Sequence, residues 1–356
     1  MLRQRVLLLC QSLEKIGEFE MRLVGPGLAA LLIVAPTVAN DTAAVLTTGG
    51  LEFIAHGEIA MESEELFISK DEIRVTYVFR NDSDEDHDLL VAFPMPDIVP
   101  DHFSPVAFPT GPADNLFEFE TTFNGEPVAA TLHEYAYAAG VDRTKLLQKL
   151  GLPLVPITQE AIDAVDALDD DTTAELLHLG LAIPDEYDAG QGWEKHHWPN
   201  WTYRATYTWE ATFPAGERVT VEHRYKPSVG GTVGVSFLSE PYEGFDPAAE
   251  YKRKYCTDEG FLAAVRKTLA NPDEPWSAPF TESWISYILT TGGNWAGGGI
   301  ETFRLVVDKG SEANLVSFCG EGVKKIGPTT FEMVKENYWP GQELEILLLE
   351  RQEAFE

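Results

Sequence analysis

Two adjacent histidines beside a carboxylate, in Glu194-Lys195-His196-His197-Trp198, are by residue type the best candidates for a metal site. Their spacing argues against one: neighbouring side chains on an extended chain point apart, and no third ligand stands at a regular interval. A solvated loop is the simpler reading. The run Asn81-Asp82-Ser83-Asp84-Glu85-Asp86-His87-Asp88 alternates oxygen donors as a calcium loop does. It lacks the central Gly and the closing bidentate Glu of an EF-hand, so a charged hairpin connection is preferred over calcium at residues 82–88. Gly234-Val235-Ser236-Phe237-Leu238 lacks the last Gly of a nucleophile elbow, and His133-Glu134 has no second His to complete a zinc-protease helix. Glycines 292, 293, 297, 298 and 299 are followed by no Lys-Ser/Thr, so they predict a tight turn rather than a phosphate loop. With 58 acidic residues, carboxylate pairs fit for glycoside hydrolysis are too many to single one out. No catalytic, cofactor-binding or metal residue is assigned, and no cofactor is expected.

Charge narrows the partners. The chain has 26 basic against 58 acidic residues, a net charge of −32, and so negative a field repels nucleic acid. The acidity is spread along the sequence, as on a solvated surface.

The elements that must position any site are mostly strands. Ile73, Val75, Tyr77 and Phe79 alternate with Arg74, Thr76 and Arg80, the period-2 pattern of a half-buried strand. A strand at 89–93 follows, stopped by Pro94 and Pro96, and Asn124-Gly125 predicts a hairpin turn between 117–123 and 128–132. Residues 140–190 read as short helices. One ends at Gly151, one starts at the N-cap Thr158 and runs over 159–168, and one ends at Gly180. Trp201, Tyr203, Ala205, Tyr207 and Trp209 then share one strand face, with Thr202, Arg204, Thr206 and Thr208 on the other. Val219, Val221, His223 and Tyr225 repeat the pattern over the next strand. Paired as a hairpin, the two bury one aromatic face and set Arg204 beside Glu222. Core packing is favoured over an open sugar-stacking platform, and His223 is read as a hydrogen-bonded core histidine. A helix at 258–270 is capped by Thr257, and strands at 284–289, 302–307, 315–318 and 344–349 complete the chain.

The N-terminus fixes the compartment. Met21-Arg22, the apolar run 23–35 and Thr37-Val38-Ala39 read as the n-region, h-region and small-residue cleavage site of a signal peptide. The run is too short and too interrupted by Gly and Pro to span a bilayer. The expected start is Met21, with residues 1–39 forming an upstream segment plus signal and cleavage falling between Ala39 and Asn40. Losing four basic and three acidic residues leaves 22 against 55, a net of −33. Cys10 leaves with the leader, so the remaining Cys256 and Cys319 predict one disulfide in an oxidising compartment.

Several phrases resemble an exported bacterial family known only as domain of unknown function 4424. They include Asn40-Asp41, Gly49-Gly50-Leu51, Tyr77-Val78-Phe79-Arg80-Asn81 and Val91-Ala92-Phe93-Pro94-Met95-Pro96-Asp97. His223-Arg224-Tyr225-Lys226-Pro227, Tyr255-Cys256-Thr257-Asp258, Ser317-Phe318-Cys319 and Tyr338-Trp339-Pro340 carry the likeness almost to the C-terminus. The resemblance implies export and a β-rich fold, but no catalytic residues.

The expected fold is α+β and β-rich: two mainly antiparallel sheet regions with a helical insertion. It is a single mature unit over 40–356, divided into an N-terminal sheet region at 40–138, the insertion at 139–195 and a C-terminal sheet region at 196–356. The expected role is non-catalytic, a binding or structural module of the periplasm or extracellular space with a protein or glycan partner and no membrane anchor after cleavage. The alternatives are a secreted hydrolase using paired carboxylates, possibly on a glycan, and a calcium-dependent interaction module.

Overall fold

Strands dominate because alternation of apolar and polar residues recurs along most of the chain, and each apolar face needs another to cover it. The computed structural model describes residues 40–47, 50–100, 106–107, 115–188, 190, 192–241, 244–271, 274 and 277–352. The predicted leader, with Cys10 and Ala39, lies outside them. The chain is α+β and β-rich.

Its largest sheet has eight strands. From edge to edge they are Lys324–Lys325, Thr330–Tyr338, Ile300–Asp308, Ile59–Ile68, Ile73–Asn81, Arg218–Tyr225, Glu120–Phe123 and Glu126–Val128. All neighbours are antiparallel except Ile59–Ile68 with Ile300–Asp308. Strands from both halves of the chain therefore lie side by side. A six-stranded sheet runs Val141–Asp142, Thr131–Ala138, Thr202–Phe213, His87–Pro94, Thr42–Thr47, Gly50–Ile54. A five-stranded sheet runs Leu315–Phe318, Leu344–Arg351, Phe280–Tyr287, Val229–Val233, Val106–Ala107. Ala182–Asp188 and Trp193–Pro199 form a separate two-stranded ribbon.

One core joins the inner faces of the three larger sheets, with Tyr77, Phe79 and Phe303 of the eight-stranded sheet meeting Phe93, Tyr207 and Phe213 of the six-stranded and Tyr287 and Ile346 of the five-stranded. The aromatic strand face is buried throughout, with Trp201, Tyr203, Tyr207 and Trp209 at most 3% exposed.

The sequence expectation of a hairpin between the aromatic strand and Arg218–Tyr225 is overturned. Thr202–Phe213 pairs with His87–Pro94 and Thr131–Ala138, while Arg218–Tyr225 pairs with strands of the other sheet. Alternation dictates which face of a strand is buried but not which strand lies beside it. Here the two apolar faces meet across the sandwich, the rings of Trp209 and His223 lying 5.1 Å apart. Arg204 accordingly pairs with Asp97, at 2.9 and 2.7 Å, and Glu222 accepts from Thr122 Oγ1. The acidic loop before His87–Pro94 is likewise an arch between sheets rather than a hairpin turn. Asn81 holds it, its Nδ2 donating to the carbonyls of Glu85 and Phe213.

Helices Thr144–Leu150, Gln159–Asp166 and Asp170–His178 form a satellite core around Leu147, Val165, Leu176 and Trp201. Thr158 caps the second through Ala161 N, and Gly151 ends the first with φ 71°. Helices Pro247–Tyr255 and Glu259–Arg266 pack on the five-stranded sheet through Phe237, Tyr255 and Val265. Asp258, not Thr257, caps the last helix: its carboxylate accepts from Phe261 N at 2.7 Å, and Thr257 is buried one residue earlier. Cys256 and Cys319 are disulfide-bonded, tying the end of Pro247–Tyr255 to the residue after Leu315–Phe318. No helix among the described residues is long and apolar enough to cross a membrane.

Candidate functional site

The motifs that suggested metals are spent on local structure. His196 and His197 lie on the ribbon strand Trp193–Pro199, not on a loop. His196 bonds Asp166 at 2.6 Å and Glu194 at 3.2 Å, and those carboxylates raise its pKa; His197 N donates to Asp166 Oδ1. Three of the five acids of residues 82–88 have separate partners. Asp82 pairs with Arg80, Asp86 accepts from Ala215 N, and Asp88 accepts from Thr212 Oγ1. Among the described residues no three His, Cys, Asp or Glu side chains are grouped as a metal site. Ser236 opens a short 3₁₀ turn rather than a nucleophile elbow. Its Oγ lies 2.7 Å from Tyr251 OH, which donates to Glu282 Oε2 at 2.5 Å. Burial raises the Glu282 pKa, and the trio pins helix Pro247–Tyr255 to the sheet beneath it.

Sequence reasoning missed a polar cluster sealed inside the core. Asn40, Asp41, Glu64 and Thr291 are each 0% exposed. Glu64 points inward because a bulge between Met61 and Ser63 shifts the strand's parity, putting Glu64 in phase with Leu66 and Ile68. That shared phase is the signal by which the sequence shows it. Glu64 accepts from Asn40 Nδ2 at 2.9 Å and Tyr287 OH at 3.3 Å, and Tyr287 OH meets Tyr77 OH at 2.9 Å. Burial pushes the Glu64 carboxyl up to about 8. Asp41 Oδ1 bonds His223 Nε2 at 2.9 Å, while its carbonyl accepts from Trp295 Nε1 at 2.6 Å. Desolvation raises the Asp41 pKa although His223 opposes it. Gly292 permits this packing, since a Cβ there would stand 3.0 Å from Asn40 Nδ2.

The rings of Phe93, Phe119 and Trp209 surround His223 at 4.8 to 5.1 Å. His223 is thus a core histidine, as its place on the apolar face predicts. Its Nδ1, Asp41 Oδ2, Trp209 Nε1 and Thr121 Oγ1 are buried without a hydrogen-bond partner among the described residues. Thr121 stands directly opposite His223 in the sheet register.

Thr121 also lines a groove of about 570 Å³ at the edge of the sandwich, with Asn115, Phe119, Val128, Ala129 and Tyr207. That volume is within the range of small-ligand sites. The groove forms because strand Glu120–Phe123 turns at Asn124-Gly125 into the short edge strand Glu126–Val128, after which the chain crosses to the six-stranded sheet at Thr131. Phe119 stacks on Tyr207 with ring centroids 4.4 Å apart. Asn115 is engaged, its Oδ1 accepting from Phe119 N and Tyr207 OH. Glu120 supplies a carboxylate, and no cation is among the described lining residues.

Comparison with known proteins adds a family. No curated protein matches the chain. A crystal structure of a Legionella pneumophila protein described as a putative nutrient binding protein is similar at 15% identity and a TM-score of 0.42, over 87% of this chain and 70% of that one. The family described as "Domain of unknown function (DUF4424)" matches residues 39–347. The chain belongs to that family.

Proposed function

We propose that the protein is a non-catalytic binding module acting outside the cytoplasm, and that it takes a small uncharged ligand in the groove beside Thr121. One observation carries the reading: Thr121 lines a ligand-sized groove, and its Oγ1, just beneath that lining, is buried without a partner among the described residues. A buried hydroxyl left unpaired costs about 1–3 kcal/mol, and a ligand group that pairs with it recovers part of that cost. Phe119, Val128 and Ala129 offer apolar contact, while Glu120 and the net charge of −32 repel anions. The ligand class is therefore neutral, with one apolar side and at least one hydroxyl or amide.

The carboxylates whose pKa values are raised argue against the hydrolase alternative. Asp41 and Glu64 are sealed in the core, and Glu282 is held by Tyr251 and Ser236. General acid catalysis needs such a group within reach of a substrate. The disulfide fits an oxidising compartment.

A thermal-shift panel of neutral monosaccharides, disaccharides and uncharged amino-acid amides tests the proposal. At least one compound raises the melting temperature of the wild type, and the shift is lost in Ala129→Trp, which fills the groove from an exposed position. A shift that survives Ala129→Trp places the ligand elsewhere and overturns the assignment.

A further inference from the structure

The chain's first described residue is packed in its interior. Asn40 is 0% exposed, and its main-chain N–H donates to Thr291 Oγ1, itself 0% exposed. Its side chain donates to Glu64 Oε2 at 2.9 Å and to the carbonyl of Leu289 at 3.5 Å. The covalent frame of an asparagine then keeps the Asn40 main-chain nitrogen within about 8 Å of Glu64 Oε2. Asp41, the next residue, is equally buried. Around these two carboxylates the structure places His223, Tyr77, Tyr287 and Tyr338. No Lys or Arg is bonded to either carboxylate among the described residues. Two buried acids with one histidine, bonded to Asp41, make a site short of positive charge.

We propose that cleavage between Ala39 and Asn40 makes Asn40 the first residue of the exported chain, and that its α-ammonium becomes the counter-charge of the buried Glu64 and Asp41. Hydrolysis of the peptide bond by a leader peptidase takes up one water. The new carboxylate leaves on Ala39, and Asn40 keeps an amine that binds a proton at neutral pH. The neutral N–H already seated against Thr291 is replaced by a cation with two further donors, in a site lined by acceptors. Processing and core formation are thereby coupled. While residue 39 is attached, Glu64 must stay protonated or stand as an unpaired charge; once it is removed, a cation stands within about 8 Å of the carboxylate. The inference does not depend on the groove, and either can fail without the other.

The test uses the full-length gene and export. N-terminal sequencing of the exported protein is expected to read Asn40-Asp41. Inserting Gly-Ser between residues 39 and 40 moves the ammonium two residues outward. At pH 7 this is expected to lower the melting temperature by more than about 3 °C in the Glu64 chain and by clearly less in Glu64→Gln. An equal loss in both backgrounds means that the insertion acts by crowding alone and overturns the charge pairing. A different mature N-terminus overturns the proposal outright. If Glu64→Gln does not fold, acylation of the α-amine decides the question on the wild type. The folded chain is expected to resist an amine-reactive ester that modifies the denatured chain, and labelling at equal rates would contradict a buried ammonium.

Discussion

Replacing Thr121 with Val removes one oxygen from a side chain that is 4% exposed and whose hydroxyl has no partner among the described residues. The shape is nearly kept, so the main change is the desolvation cost of the lost hydroxyl. An unpaired buried hydroxyl costs about 1–3 kcal/mol, and a methyl in its place packs toward His223, directly opposite in the sheet register. Taking the low end to allow for imperfect fit, Thr121→Val stabilises the free protein by about 1 kcal/mol. For a chain of this size that is a rise of about 1–2 °C in melting temperature, with the midpoint of urea unfolding moving up at unchanged slope. Ligand binding moves the opposite way. A lost hydrogen bond of about 1–1.4 kcal/mol weakens affinity roughly tenfold. The assays are urea unfolding followed by tryptophan fluorescence, and calorimetric titration with the best compound from the panel. A variant destabilised by more than about 1 kcal/mol with affinity unchanged would refute the reasoning, because the hydroxyl would then be a paired structural group remote from the ligand.

Three further outcomes are expected. Cys256→Ser with Cys319→Ser opens a link of sequence separation 63 and lowers stability by about 4 kcal/mol in the chain-entropy estimate, read by urea unfolding of the oxidised wild type against the variant. In a chain still carrying residues before Asn40, Glu64 with a folded pKa near 8 against an ordinary 4.5 binds its proton more tightly folded than unfolded. Its contribution is therefore complete below about pH 4.5 and is lost as pH rises to 8, up to about 5 kcal/mol, and Glu64→Gln flattens that slope in melting temperature against pH. Tyr251→Phe leaves the buried Glu282 short of its closest donor, at 2.5 Å, and is expected to cost about 1–3 kcal/mol; a change under 0.3 kcal/mol would show that the pin holds nothing.

The β-rich class, the caps at Thr158 and Gly151 and the core burial of the aromatic strand were legible because each depends on local periodicity or a single backbone requirement. The neighbour relations were not. The Pro214–Glu217 turn, closed by Glu217 N to Pro214 O, joins two strands of opposite sheets. Short turns of this kind look in sequence like hairpins, so the supposed Arg204–Glu222 pair was read where Arg204–Asp97 stands. Glu64 was hidden by the bulge at Met61/Ser63: alternation counted from Ile59 puts it on the outer face, and only its phase with Leu66 and Ile68 marks it as inward-facing. The edge groove depends on Thr131–Ala138 leaving one sheet for the other, a tertiary choice that no window of sequence encodes.

The binding claim is tested most directly by a crystal structure of the mature protein soaked with the compound that gives the largest thermal shift. The account predicts difference density along Phe119, Thr121 and Ala129, with a ligand hydroxyl or amide within hydrogen-bond distance of Thr121 Oγ1. Density elsewhere on the molecule, with the groove filled only by solvent, would contradict it.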